Sequence, residues 1–300
     1  MIQWPQTLLK SMLFNNLTVF FGAGVTKELG FKLWSELIEQ LRSEISLNDD
    51  LVKELTESIN SNNYLNAMDI FFSEKEHETV SLINRMYMLD EFDKNQILNS
   101  NEALLFELGA SAYLTTNVDN SLEEVLGKKG KKSTVIYSYK NQEDIKDKLV
   151  DRDFDRNPLV VRLHGDLKEA KSLIFSQKQY SQLTKDNNFV FQYLIPSLLV
   201  STMTLFVGYS IGDPDIQLIL ENTSRVRGLN LNLVLINTDP KLSTHQKELF
   251  TMRYGIKVID IIFDELDQTQ ALKRGLTELA TIRKKLTDLQ PGDARDILLS

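Results

Sequence analysis

Leu17–Phe21 is a short apolar run of strand type, and it passes directly into Gly22-Ala23-Gly24. The segment that follows carries apolar side chains at 33, 34, 37, 38, 41 and 45, which is helical spacing. A buried strand, a glycine turn and a helix form the opening of a nucleotide-binding βα unit. Glycine permits the tight turn and lets backbone N–H groups come close to a diphosphate. Taken alone, the turn is a weak signal and reads first as an ordinary strand-to-helix connection. The next glycine, Gly30, is off the spacing of the G-x-G-x-x-G dinucleotide fingerprint.

Strand signals of the same kind recur at Ala112–Thr115 and over residues 134–139, 159–163, 204–207, 231–236 and 257–262. Helical patterns are expected over residues 7–16, 189–200 (with a kink at Pro196), 215–226, 245–253 and 269–286. Apolar strands alternating with helices imply an α/β, Rossmann-like, mainly parallel sheet with helices on both faces. Residues 48–108 stay helical, with one stripe at Leu51, Leu55 and Ile59, another at Val80, Ile83, Met86 and Tyr87, and a third at Leu104, Leu105 and Leu108. The expected organisation is a core made of residues 1–47 and 109–290, an inserted helical lobe over 48–108, and a C-terminal tail over 291–300 after the stop at Pro291-Gly292.

With 300 residues and 42% hydrophobic content, the chain can build one large domain, or a core with a smaller lobe. No stretch approaches the ~20 apolar residues that cross a bilayer. Residues 1–16 lack the basic start, long apolar run and small-residue cleavage site of a secretory signal, and a cytoplasmic protein is expected. The sequence contains no cysteine, which excludes disulfides and cysteine-ligated zinc or iron–sulfur centres. His77, His164 and His245 are far apart and have no close partner at metal-ligand spacing, so no metal is expected. A formal net charge of −8 argues against a nucleic-acid-binding face. The basic knot Lys128-Lys129-Gly130-Lys131-Lys132 reads as a solvated turn, with a phosphate or partner contact as the alternative.

Ligands of open parallel sheets bind beyond the carboxyl ends of the strands, and polar residues follow each expected strand. They are Thr115-Thr116-Asn117-Val118-Asp119, His164-Gly165-Asp166, Gly208-Tyr209-Ser210 and Asn237-Thr238-Asp239. Each has a plainer alternative. Asn117, Asp119 and Ser210 suit helix caps or turns, Asp213-Pro214-Asp215 suits a helix start, and His164 suits a hydrogen-bonded structural role. Together, an amide, a carboxylate, an imidazole and two glycine turns on one sheet edge favour a shared crevice.

These residues resemble the sirtuin family. Phe21-Gly22-Ala23-Gly24-Val25-Thr26 is similar to its glycine-rich start, Thr115-Thr116-Asn117-Val118-Asp119 to its threonine–asparagine–aspartate motif, and Leu163-His164-Gly165 to its catalytic histidine. Gly208-Tyr209-Ser210 and Leu235-Ile236-Asn237 resemble its later glycine–serine loop and adenosine-side asparagine. The departures matter as much. Sirtuin deacylases carry a four-cysteine zinc ribbon, and after Gly30 this chain has Phe31-Lys32-Leu33-Trp34-Ser35 where they have the residues that handle nicotinamide.

The chain is thus more similar to the bacterial sirtuin-like NADases of antiviral defence. That resemblance implies an NAD glycohydrolase acting on NAD as substrate and releasing nicotinamide and ADP-ribose. It also implies depletion of cellular NAD during antiphage defence, in a homo-oligomer or with a defence partner such as a translocase-type ATPase. Asn117 and His164 would be catalytic, with Asp119 orienting the ribose or the Asn117 loop. Gly22, Ala23, Gly24 and Thr26 would meet the diphosphate, Gly208, Ser210 and Asn237 the adenosine side, and Trp34 the nicotinamide pocket or the core. The alternatives are an NAD or ADP-ribose sensor or scaffold without turnover, and a deacylase or ADP-ribosyltransferase.

Overall fold

Strand β1 (Leu17–Phe21) is buried at every residue, and its side chains divide between two apolar layers. Leu17, Val19 and Phe21 join a cluster with Leu8, Leu37, Met68 and Leu276. Phe20 faces the other way, into a cluster with Ile145, Leu194 and Phe250. A strand alternates its side chains across the sheet, so an unbroken apolar run means that both faces are covered.

The computed structural model describes residues 2–131, 133–151, 153–154, 157–185, 187–209, 220 and 232–288. The further strands are β2 (Ala112–Thr115), β3 (Ile136–Ser138), β4 (Leu159–Arg162), β5 (Met203–Val207), β6 (Leu233–Asn237) and β7 (Ile256–Asp260). All pairings are parallel, and the order is β3-β4-β2-β1-β5-β6-β7. The chain builds outward from β1 on one side, then returns to lay β5 against the other side of β1. Strand order therefore reverses between β1 and β5, where a doubly wound sheet opens a crevice at its carboxyl edge. Phe21 pairs with Thr115 of β2 and Val207 of β5.

Helices α1 (Gln6–Leu13), α2 (Ala23–Thr26), α3 (Trp34–Glu44), α4 (Asp49–Asn60), α5 (Tyr64–Tyr87), α6 (Lys94–Leu98) and α7 (Asn101–Leu105) flank or follow β1. Between β1 and β2 the described residues form no strand. Leu55, Met68, Phe71 and Ile83 of this helical stretch share the apolar cluster of Val19 and Phe21. Later come α8 (Ser121–Lys128), α9 (Gln142–Asp151), α10 (Gln177–Lys185), α11 (Ile195–Ser201), α12 (Thr244–Tyr254) and α13 (Gln268–Asp288), the last lying against α1, α2 and α7.

The sheet expected from the sequence is present, with strand ends moved by no more than two residues. Asn237 closes β6 rather than following it. The bend expected at Pro196 falls at the head of α11, where a turn with wider, π-type hydrogen bonding (Val190–Leu194) hands over to the α-helix. Proline has no N–H to lose there. Helices α8, α9 and α10 were not anticipated. Helix α9 buries only Ile145 and Lys148 and α8 spans two turns, so neither repeats a stripe long enough to read. Ser210, the helix expected over residues 215–226, Pro291-Gly292 and the tail lie outside the described residues. In the basic knot, Lys129 pairs with Glu107, Lys128 with Glu124 at 3.5 Å, and Lys131 sits 5.8 Å from the Phe106 ring centre, which is the plain turn reading.

Candidate active site

The turn after β1 is locked onto the end of β5. Gly22 N donates to Val207 O and Gly24 N to Gly208 O, both at 3.0 Å. A Cβ on Gly24 would stand 2.8 Å from Gly208 O, and one on Gly22 2.6 Å from the Tyr209 ring. Gly208 has φ +71, and a Cβ there would stand 2.6 Å from Val25 N. Both glycine turns are thus required by the approach of two backbones, and the Gly24 N–H is already committed.

From the end of β2, Thr115 donates through Oγ1 to Phe21 O (2.7 Å) and accepts from Asn117 N (3.0 Å). This places the Asn117 side chain beside the glycine turn, where Nδ2 donates to Gly22 O (3.3 Å) and Thr26 Oγ1 (3.2 Å). Thr26 Oγ1 in turn donates to Asp119 Oδ2 at 3.1 Å. Asp119 also accepts from Ser121 N, and Ser121 Oγ lies between the Asp119 and Glu102 carboxyls. Burial raises both carboxyls above the ordinary range, and the neighbouring Asp119 charge adds to the rise at Glu102, which is pushed up to about 8.

At the end of β4, His164 is buried, and its Nε2 is hydrogen-bonded to the Tyr180 hydroxyl of α10. Gly165 (φ +90) follows, and a Cβ there would collide with Ser172 O at 2.2 Å. Two residues before His164, Arg162 is the largest fully buried side chain among the described residues. It grips Glu123 through both terminal nitrogens (2.8 and 2.7 Å) and Asp119 O at 2.6 Å. Burial opposes its charge, but the Glu123 carboxylate more than offsets this and holds the guanidinium above its usual pKa. Arg162 therefore ties the β4 end to the loop carrying Asn117 and Asp119.

At the end of β6, Asn237 uses its amide within its own loop and on Asp260 (2.7 Å), while accepting from Asp239 N. Trp34 opens α3 and meets the Phe175 ring edge-on at 5.7 Å, which itself stacks on Phe72.

These elements enclose a cleft of about 710 Å³ at the carboxyl edge of the sheet, large enough for a dinucleotide-sized ligand. Ala23, Gly24, Thr26, Trp34, Asn117, Asp119, His164, Gly208 and Asn237 all line it. Gly22 sits behind it, against Tyr209. Sequence reasoning missed Tyr180, Arg162, Glu102 and the cleft lysines Lys27 and Lys32. Of these, only Arg162 carried a signal, as a charge inside the apolar run Leu159 to Leu163. Among the described residues, no group of three or more His, Asp or Glu side chains is placed to hold a metal ion, and no helix is long and apolar enough to cross a membrane.

Residues 111–259 match the SIR2-like domain. That match takes in nearly half of the chain, and it is with the SIR2-like family that the chain shares its likeness. Over 221 residues it is 30% identical to the NAD(+) hydrolase ThsA of Cytobacillus dafuensis, covering 74% of this chain and 40% of that one. It is 28% identical over 218 residues to the ThsA of Bacillus cereus, at 73% and 41% coverage. It is 22% identical over 249 residues to defense-associated sirtuin 2 of Bacillus subtilis, at 81% and 23% coverage. The chain spans about two fifths of the length of the ThsA relatives it matches.

Proposed function

We propose that the cleft binds NAD and hydrolyses it at the nicotinamide–ribose bond, releasing nicotinamide and ADP-ribose and so depleting NAD during antiphage defence. One observation carries the reading. Asn117 and His164, delivered by different strands, line a single cleft beside the β1–β5 glycine turns. The names of the ThsA relatives support it.

The bond breaks through an oxocarbenium-like state, and nicotinamide leaves as a neutral group. The protein's tasks are to orient the ribose, exclude bulk water and position one water on the opposite face. Asn117 is held through Nδ2, and its Oδ1 has no hydrogen-bond partner among the described residues. That oxygen is the acceptor for a ribose hydroxyl or the attacking water. His164 serves as general base toward one of these. Its Nε2 is hydrogen-bonded to the Tyr180 hydroxyl, which orients the ring.

Because the Gly24 N–H is taken, the diphosphate meets Ala23 N–H and the charge of Lys27 and Lys32, while the glycines supply space. Trp34 walls the nicotinamide end, Asp119 orients the Asn117 loop through Thr26, and Gly208 and Asn237 flank the adenosine. The lobe over 48–108 covers the ribose, on a core of 1–47 and 109–290. The setting is cytoplasmic, in a homo-oligomer or with a defence partner such as a translocase-type ATPase.

The test is chromatography of nicotinamide and ADP-ribose after incubating the purified chain with NAD. Release is expected, and it is abolished in folded His164→Ala and Asn117→Ala chains. Full release by both variants sinks the residue assignment. If the unaltered chain shows no release and no saturable NAD binding, the NAD reading itself is wrong.

A further inference from the structure

Ser121 Oγ lies 2.6 Å from a Glu102 oxygen and 2.5 Å from an Asp119 oxygen. A serine hydroxyl has one proton to give, so both contacts are hydrogen bonds only if one carboxyl brings a proton of its own. All three residues are buried, Glu102 being 1% exposed and Asp119 3%. Two adjacent carboxylates at such depth do not both ionise.

The surroundings say which one holds the proton. Asp119 accepts from Thr26 Oγ1 and Ser121 N, and its carbonyl oxygen receives an Arg162 nitrogen. These contacts favour an ionised Asp119. Glu102 has Ser121 as its hydrogen-bond partner. Of the other charges around α7, Arg162 stabilises an anion there and Glu123 opposes it. Glu28, from the turn after α2, is paired with Lys273 of α13 and caps Asn101 at the start of α7.

We propose that Glu102 is a positioning residue that works as a neutral carboxylic acid. It donates to Ser121, Ser121 donates to Asp119, and Asp119 holds the Thr26 hydroxyl that in turn fixes the Asn117 amide in the cleft. Every donor in this chain has one acceptor, and its direction is set by the proton on Glu102. Ionising Glu102 puts a second negative charge against Asp119 and removes the donor to Ser121, which releases the chain that ends on Asn117. Burial, and then the Asp119 charge, raise the Glu102 pKa in the sense this requires.

The proposal rests on the NAD reading, so its test has two parts. In the first, nicotinamide release by the unaltered chain falls on the alkaline side, centred near 8. Glu102→Gln, which keeps a donor to Ser121 but cannot titrate, stays within about threefold at neutral pH and loses that alkaline fall. Glu102→Ala lowers kcat by roughly ten- to a hundredfold, with KM nearly unchanged. A Glu102→Gln chain with the original alkaline fall, or one as inactive as Glu102→Ala, overturns the proposal.

The second part needs no turnover. The side-chain amide protons of Asn117, followed by NMR, shift through the same titration in the unaltered chain and stay flat in Glu102→Gln. Amide signals indifferent to pH overturn the proposal whatever the activity. Signals that titrate in a chain that never cleaves NAD sustain the coupling and reject only the NAD reading.

Discussion

The backbone N–H of Gly24 donates to the carbonyl oxygen of Gly208 at 3.0 Å, closing the turn after β1 onto the turn after β5. This contact bridges the two strands between which the sheet reverses its order, so the mouth of the cleft depends on two residues with no side chain.

Alanine at either position should therefore be costly. Gly24→Ala forces the Gly208 carbonyl away, and Gly208→Ala adds a Cβ at φ +71 against Val25 N. Each substitution is expected to destabilise the fold by about 1–3 kcal/mol, measured by chemical denaturation. NAD affinity should fall together with stability. Gly30→Ala is the control. That residue also has positive φ (+94) but has nothing within 4 Å of a Cβ, so only backbone strain is at work.

Tyr180→Phe removes the hydroxyl on His164 Nε2 while keeping the ring that packs edge-on against the imidazole at 5.4 Å. If His164 is the base, kcat should fall by about tenfold, less than the 10²–10⁴ expected from losing a general base outright, and KM should move little. A kcat within twofold of the unaltered chain would remove Tyr180 from the mechanism.

Arg162 should be intolerant even of lysine, which cannot present two parallel N–H groups to the Glu123 carboxylate. Breaking a fully buried pair costs about 3–5 kcal/mol. The Glu123 side chain is 32% exposed, so the expected loss for Arg162→Met is about 2–3 kcal/mol. Urea denaturation gives the stability, and nicotinamide release should drop in parallel because the Asp119 loop loses its anchor.

The Glu102–Asp119 pair also predicts a pH-dependent stability. The folded chain holds a proton at Glu102 up to about 8, whereas an unfolded glutamate releases it near 4.5. Stability is full below the lower value, falls as pH rises between the two, and is flat above. The slope is up to about 1.4 kcal/mol per pH unit for one proton. Thermal unfolding of the unaltered chain across that window should show the decline, and Glu102→Gln should flatten it.

Seven strands were legible because a parallel strand covered on both faces must be apolar at nearly every residue, as Leu17–Phe21 is. The candidate cleft was legible because its polar residues stand at the ends of those runs, as Asn117 and His164 do. What escaped were partnerships. Glu102 lies in a helix turn that looks solvent-exposed in sequence, and nothing local marks it as lying against Ser121. Tyr180 reaches His164 from a helix whose polar sequence has no stripe. The role given to the glycines also shifted, from donating to a ligand toward allowing β1 and β5 to meet. Spacing along one strand cannot report the approach of another that is 186 residues away.

That separation governs when the cleft can come into being. During synthesis β1 is made early and has one side paired by β2, while its other side waits for β5, whose partner for Leu17 is Met203. Contacts of such long range form late and slowly. Until they do, the glycine mouth has only one lip and Gly24 has no Gly208 to meet. An unfinished or truncated chain thus lacks a working cleft, and whatever chemistry the site performs is withheld from the cell until most of the sheet has been synthesised.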